Sequence, residues 1–381
     1  MKRKLIPAMI GAALVGGMTA AQADITVFGH IDSAVSSHDA DLGFVDNSRM
    51  LSTWATAANV AGVTDNNDDL NLTCTSCSIG FKGSESLGNG LTGLFYLDFE
   101  YDTNNDGEAL TDRNQYLGLS GNFGRVIYGT VSTSWKSHGA MLDPLYRTAV
   151  QGRTSGLQSF LHRNNGEDGE GRADNSFRWD SPNWNGVKVT AHYTLDSNEK
   201  DGVGGVDEDD DAYGIGAQYS NGGILAFADY IANNSDSVTN PHGDLSGWKV
   251  GGKYTINNFS LMGQYEDIED GLGATANEEF NNWHLGGSYD VGNNTFYAAY
   301  GQGELTDILT GTNDDHETTA YTLAAIHKLS KRTSVYAAYN QQEQENGSAL
   351  NGALDGLAGA AAGTVNDPEK TNIAIGLKHK F

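Results

Sequence analysis

Few residues in this chain stand in spacings that could make or break bonds. Its two cysteines form a single C-x-x-C, Cys74-Thr75-Ser76-Cys77. A zinc site usually wants two more ligands, and a redox motif wants a βαβ surrounding that this chain lacks. In an exported chain the pair reads as a local disulfide. It needs a tight turn, because extended backbone would hold the two Cα atoms too far apart. No G-x-S-x-G, P-loop or H-E-x-x-H occurs, and the ten histidines are scattered. Asp102-Thr103-Asn104-Asn105-Asp106-Gly107 begins like a calcium loop, but Arg113 holds the twelfth position, where a bidentate Glu is needed. Neither an enzyme nor a resident cofactor is expected, and the acidic segments would offer weak divalent-cation binding at most.

What the chain does offer is electrostatic. Between Arg125 and Pro182, about forty residues run without sustained periodicity, carrying Trp135, Tyr146, Phe160, Lys136, Arg147, Arg153, Arg163, Arg172 and one isolated acid, Asp143. A connection of that length inside a compact domain either has a function or is disordered. It reads as a loop folded into the lumen of a barrel and narrowing it.

The elements that would position such a loop are strands. Val187, Val189, Ala191 and Tyr193 alternate with Lys188, Thr190, His192 and Thr194; Trp283, Leu285 and Tyr289 alternate with Asn282, His284 and Ser288. Each such run lasts about ten residues, enough for a tilted strand to cross a bilayer. Connections alternate between short Asn/Gly turns, such as Asn257-Asn258 and Gly292-Asn293-Asn294, and long acidic ones near 37–72, 102–111, 132–173, 197–210, 233–245, 268–280, 303–317 and 342–369. The count is sixteen strands, seven short turns and eight long loops. Even number and one-sided loop length are what a bacterial outer-membrane barrel requires, since no edge may be left open in lipid.

The first residues fit export. Lys2, Arg3 and Lys4 precede an apolar run ending in Ala21-Gln22-Ala23, so 1–23 is expected to be a signal peptide and 24–381 one barrel domain. The formal net charge is −26, which argues against nucleic acid as a partner. Its acids gather at 65–69, 102–108, 207–211 and 314–315, segments read as solvated loops.

Several segments together carry a family likeness: Thr26-Val27-Phe28-Gly29-His30-Ile31-Asp32, Gly80-Phe81-Lys82-Gly83, Asn114-Gln115-Tyr116-Leu117-Gly118-Leu119, Ser176-Phe177-Arg178-Trp179-Asp180-Ser181-Pro182 and Gly376-Leu377-Lys378-His379-Lys380-Phe381. The chain resembles the general bacterial porins. That resemblance implies a homotrimer among outer-membrane lipid and lipopolysaccharide, passive diffusion of small hydrophilic solutes, and membrane insertion signalled by Phe381. It also implies a pore constriction in which wall cations face acids on the third loop.

The matching segments place wall positions at His30, Ser78, Arg113 and Arg172. Alternation puts His30, Ser78, Lys82, Arg125, Arg172 and Arg178 on the lumen side. Arg113 shares parity with Leu117 and faces lipid unless a bulge intervenes. Asp143 is the expected constriction acid, with Glu167, Asp168 and Glu170 as alternatives. Ser78 and His30 stand where the family usually has Arg, or Arg or Lys, so the positive wall looks thinned and a cation preference is expected. A solute-specific channel, for an oligosaccharide or an anion, is the alternative, with Trp135, Tyr146 and Phe160 as a stacking track. A secreted soluble or adhesive β-protein is the reading from another class.

Overall fold

A computed structural model describes residues 24–41, 44, 70–103, 110–159, 171–195, 211–234, 245–272, 276–306, 316–345 and 367–381. The expected signal peptide, most of the acidic stretches, and Phe160, Arg163, Glu167, Asp168 and Glu170 lie outside them.

The strands in order are β1 (Asp24–Ala40), β2 (Leu70–Cys74), β3 (Ser78–Gly88), β4 (Leu91–Glu100), β5 (Thr111–Gly121), β6 (Gly124–Ser132), β7 (Arg172–Asp180) and β8 (Val187–Thr194). Then follow β9 (Asp211–Asn221), β10 (Ile224–Asn234), β11 (Leu245–Ile256), β12 (Phe259–Leu272), β13 (Ala276–Val291), β14 (Asn294–Thr306), β15 (His316–Lys328), β16 (Thr333–Gln344) and β17 (Glu369–Lys380). Each pairs antiparallel with its neighbours in sequence, apart from β2 and β3. Those two share one place in the ring, both pairing with β1. The seam is made by β1 and β17, from His30↔Lys380 to Ala40↔Lys370. The result is a closed antiparallel barrel of sixteen strands.

Closure explains the alternation. Leu285 is 53% exposed and its neighbour His284 only 3%, so successive residues face opposite sides of the wall. Val187, Ile215, Leu261 and Ile375 share the outward face. In lipid that face is at home, and among the described residues each strand is paired with its neighbours in the ring. Short turns use residues that tolerate positive φ, such as Asn257 (φ 52°) and Gly292 (φ 58°).

Two expectations need correction. The connection near 268–280 is mostly strand, since β12 and β13 stay paired as far as Leu272↔Ala276. Beyond the hydrocarbon the outward face need not be apolar, so the periodic signal fades before the ladder does. The first long connection also starts later than 37, because β1 continues to Ala40.

Between β6 and β7 the chain forms helix α1 (Ser134–Ala140) and a 3-10 turn at Gly152–Thr154. Leu142, Leu145, Val150 and Leu157 from this segment pack with Tyr297, Ala320 and Tyr336 of the wall's buried face.

Candidate functional site

The segment 133–159 is tied to strands far apart in the ring. The Thr133 hydroxyl caps α1, accepting from Lys136 N at 3.2 Å. In the first turn, Trp135 is fully buried. Lys249 of β11 stands 4.4 Å from its ring centroid and donates to its carbonyl at 2.5 Å. His138 Nδ1 lies 2.9 Å from an Asp229 oxygen on β10. Far around the ring, at the β2–β3 turn and β3, Arg147 Nη2 donates to Ser76 O at 2.5 Å and to Ser78 Oγ at 2.7 Å. His30 Nε2 meets Arg147 O at 3.2 Å, and Lys378 donates to Tyr146 O at 2.5 Å. Asn340 Nδ2 holds Ser155 O at 3.0 Å.

Inside the segment, Asp143 organises a turn. Its Oδ1 accepts from Leu145 N and its Oδ2 from Gly152 N, both at 2.8 Å. Burial pushes its carboxyl up, against the pull of those two donors. Both oxygens are therefore used by the loop's own backbone, so Asp143, the expected constriction acid, holds the turn. Trp135, buried under Lys249, packs and offers no face for a solute to stack on.

The wall residues fall into groups. Arg113 does turn inward, because β5 carries one extra residue: Leu97 pairs with Gln115 but Phe99 with Asp112. This bulge reverses the parity. Arg113 Nε then meets Asp98 at 3.1 Å and its Nη1 meets Glu100 at 2.5 Å. Arg172 is 5% exposed, and its Nη2 is buried without a partner among the described residues. Arg125 and Arg178 form a second group, both on Asp180, at 2.5 and 2.7 Å. Lys82 stands apart, 5.3 Å from the ring centroid of Phe28. His30 and Ser78 lie beside Arg147.

Sequence reasoning passed over Arg147 as a site residue, although it is a loop cation close in number to Asp143. The geometry puts it in the corner formed by His30 and Ser78. The cation that the wall lacks at Ser78 comes from the loop instead. Burial pushes the Arg147 guanidinium down, with Arg113 adding to the shift. Lys136 is held well below its ordinary value by burial, then by Arg172, Arg153 and Arg113. The causes of these shifts place Arg113, Arg147, Arg153 and Arg172 near one another, with Asp98 and Glu100 bonded to Arg113. Lys249 was legible as an inward residue of its strand but carried no motif, and Lys378 lies in the family-like C-terminal segment without standing out there.

Cys74 and Cys77 are bridged, with Cα atoms 5.7 Å apart. The turn between β2 and β3 puts Ser76 at φ 55°, and its carbonyl is the one that Arg147 grips. Phe381 closes the seam through reciprocal backbone bonds with Gly29, each 3.2 Å. Its ring lies where a Gly29 side chain would be.

A closed ring with an apolar outer face and a polar inner one defines an outer-membrane β-barrel. The chain belongs to the Gram-negative porin family, whose model matches residues 8–347. It is 27% identical over 229 residues to the major outer membrane protein P.IB of Neisseria gonorrhoeae, covering 59% of this chain and 56% of that one. Its likeness to P.IB of Neisseria lactamica is 26% over 237 residues, 59% and 57% of the two chains. The matches thus span just over half the length of these relatives. Among solved structures, the anion-selective porin from Comamonas acidovorans superposes with TM-score 0.70 at 20% identity, covering 94% of this chain and all of that one. Salmonella typhi OmpF superposes with TM-score 0.66 at 15% identity, covering 94% and 97%.

Proposed function

We propose that the protein is a passive diffusion channel for small hydrophilic solutes and ions, working as a homotrimer. One observation carries the reading. The segment 133–159 is bonded to Ser78 and Lys378 on one arc and to Lys249 and Asp229 on the opposite arc, so it crosses the water column and narrows it. Low-dielectric walls around such a neck strengthen the field of its charges. Trimeric OmpT of Vibrio cholerae, which shares the fold, supports the assembly. A channel of this kind needs no catalytic group or cofactor.

The neck's ion preference follows from its charges. On the Arg147 side of the neck, Arg113, Arg147, Arg153 and Arg172 gather against Asp98 and Glu100, while Asp143 is held by loop amides and Asp229 by His138 and Lys249. Of the two grounds for expecting a cation preference, the gap at Ser78 is filled by Arg147, and the acidic loops lie mostly outside the described residues. An excess of cations in the neck favours anions.

Planar-bilayer recording of the folded, heat-modifiable protein tests both statements. Stepwise ohmic currents are expected, with reversal potentials of anion sign across a salt gradient. Folded protein that inserts without current overturns the channel, and a cation-sign reversal overturns the preference alone.

A further inference from the structure

On the short-turn side of the loop the water column widens into a vestibule roofed by the neck-forming segment. Its volume is about 670 Å³, within the usual size of small-molecule sites. Loop residues 141–145 and Thr148 form its ceiling. Six cations line it: Lys253, Lys328, Lys331, Arg332, Lys378 and Lys380. Two acids share the lining, and both are engaged. Asp143 holds the loop backbone, and Asp290 accepts from the Thr295 hydroxyl.

Among the described residues, none of the six cations forms an ion pair. Lys253 and Lys378 spend their ammonium groups on loop carbonyls, Met141 O at 3.1 Å and Tyr146 O at 2.5 Å. That fixes the ceiling and leaves Lys328, Lys331, Arg332 and Lys380 around the open side. A backbone bond from Lys380 N to Arg332 O, 2.9 Å long, keeps two of these four adjacent. Hydroxyls of Ser288, Ser330, Thr333 and Ser334 stand among them. In a chain of net charge −26, this concentration of unneutralised cations is a local reversal of sign. The opposite, long-loop end carries acids at its strand ends, among them Glu100, Asp174, Glu279, Glu317 and Glu369.

We propose that this chamber is a binding site for small polyvalent oxyanions, phosphate- or carboxylate-bearing, that enter from the short-turn side. Like charges confined together repel, and a multivalent anion relieves several repulsions at once while the hydroxyls donate to its remaining oxygens. The acidic far end disfavours approach from the other side, so loading is directional. In an outer-membrane barrel the short turns face the periplasm, which makes it the loading compartment. The proposal rests on the reading of the chain as a channel.

The experiment is sided block of single trimers in a planar bilayer at about 0.1 M KCl, where the screening length is about 10 Å. The probe is inorganic triphosphate. An impermeant thiol reagent on S330C reports which side is which, because the native cysteines are bridged. Triphosphate on the short-turn side is expected to reduce current at a concentration at least about tenfold lower than from the loop side. K331E combined with R332E is expected to raise the half-blocking concentration about tenfold or more. Salt at about 1 M should erase the asymmetry, since screening there acts within about 3 Å. Symmetric block, or no block at millimolar triphosphate, overturns the proposal in the wild-type protein without recourse to any variant. The current recorded before triphosphate is added keeps that failure distinct from failure of the channel reading.

Discussion

Replacing Asp143 by Ala should unlock the turn from 143 to 152 while leaving the barrel wall intact. The carboxylate accepts two backbone N–H bonds, from Leu145 and Gly152, both at 2.8 Å. A hydrogen bond to a charged group is worth about 1.5–3 kcal/mol, so the pair contributes about 3–6 kcal/mol to the order of that turn. At about 1.4 kcal/mol per tenfold, the open population of the turn rises about 10²- to 10⁴-fold. Asp143→Asn keeps one acceptor oxygen and turns an amide donor toward the other N–H, so it should recover less than half of the effect. No ladder bond passes through Asp143, so heat-modifiable migration and thermal unfolding of the wall should not move. Two readouts decide it: flicker noise and conductance in single-channel recording, and hydrogen exchange at the Leu145 and Gly152 amides. Quiet wild-type current with unchanged protection of both amides in the Ala variant would refute the reasoning.

Other outcomes follow from the same contacts. Gly216 faces α1 so closely that a Cβ there overlaps Asp229 and the Ser134 side chain; Gly216→Leu should push the helix off the wall, raising conductance in bilayer recordings without preventing folding. Gly29→Val collides with the Phe381 ring and should cost about 1–3 kcal/mol by overpacking, read as a smaller heat-modifiable fraction after refolding. Serines at both Cys74 and Cys77 release the turn that presents Ser76 O to Arg147; the variant should insert normally, with broadened conductance steps in single-channel histograms. Lys249→Met removes the bond to Trp135 O and the cation–π contact, and should lower the temperature at which Trp135 fluorescence shifts while the barrel's far-UV signal persists.

Much of the wall was legible in the sequence because lipid imposes a two-residue period on every crossing. Val187, Leu261 and Leu285 could be assigned to the outside on parity alone. The short turns at Asn257 and Gly292 were legible for a similar reason, since few residues accept their backbone angles. Where that constraint lapses, legibility lapses too. The upper parts of β12 and β13 stand beyond the greasy zone, and their pairing leaves no mark in composition. Arg113 could not be placed by counting, because an inserted residue shifts the frame, and its cause lies in the neighbouring strand's register. Asp143 stood out as the acid of the loop, but its bonds to two loop amides were not legible. Mid-loop position says nothing about whether a carboxylate meets water or two amides. Arg147 escaped because its place depends on the disulfide-bound turn at Ser76, a contact across 71 positions of sequence.

The seam between β1 and β17 has a consequence for biogenesis. Its eleven paired positions use residues 370–380. Without that strand, β16 and β1 are sticky rims, each exposing a row of unsatisfied amides. The cylinder cannot close until residues 370–380 are in place, and a product lacking them cannot conceal its rims. Such a fragment advertises its own incompleteness to chaperones and proteases between the membranes.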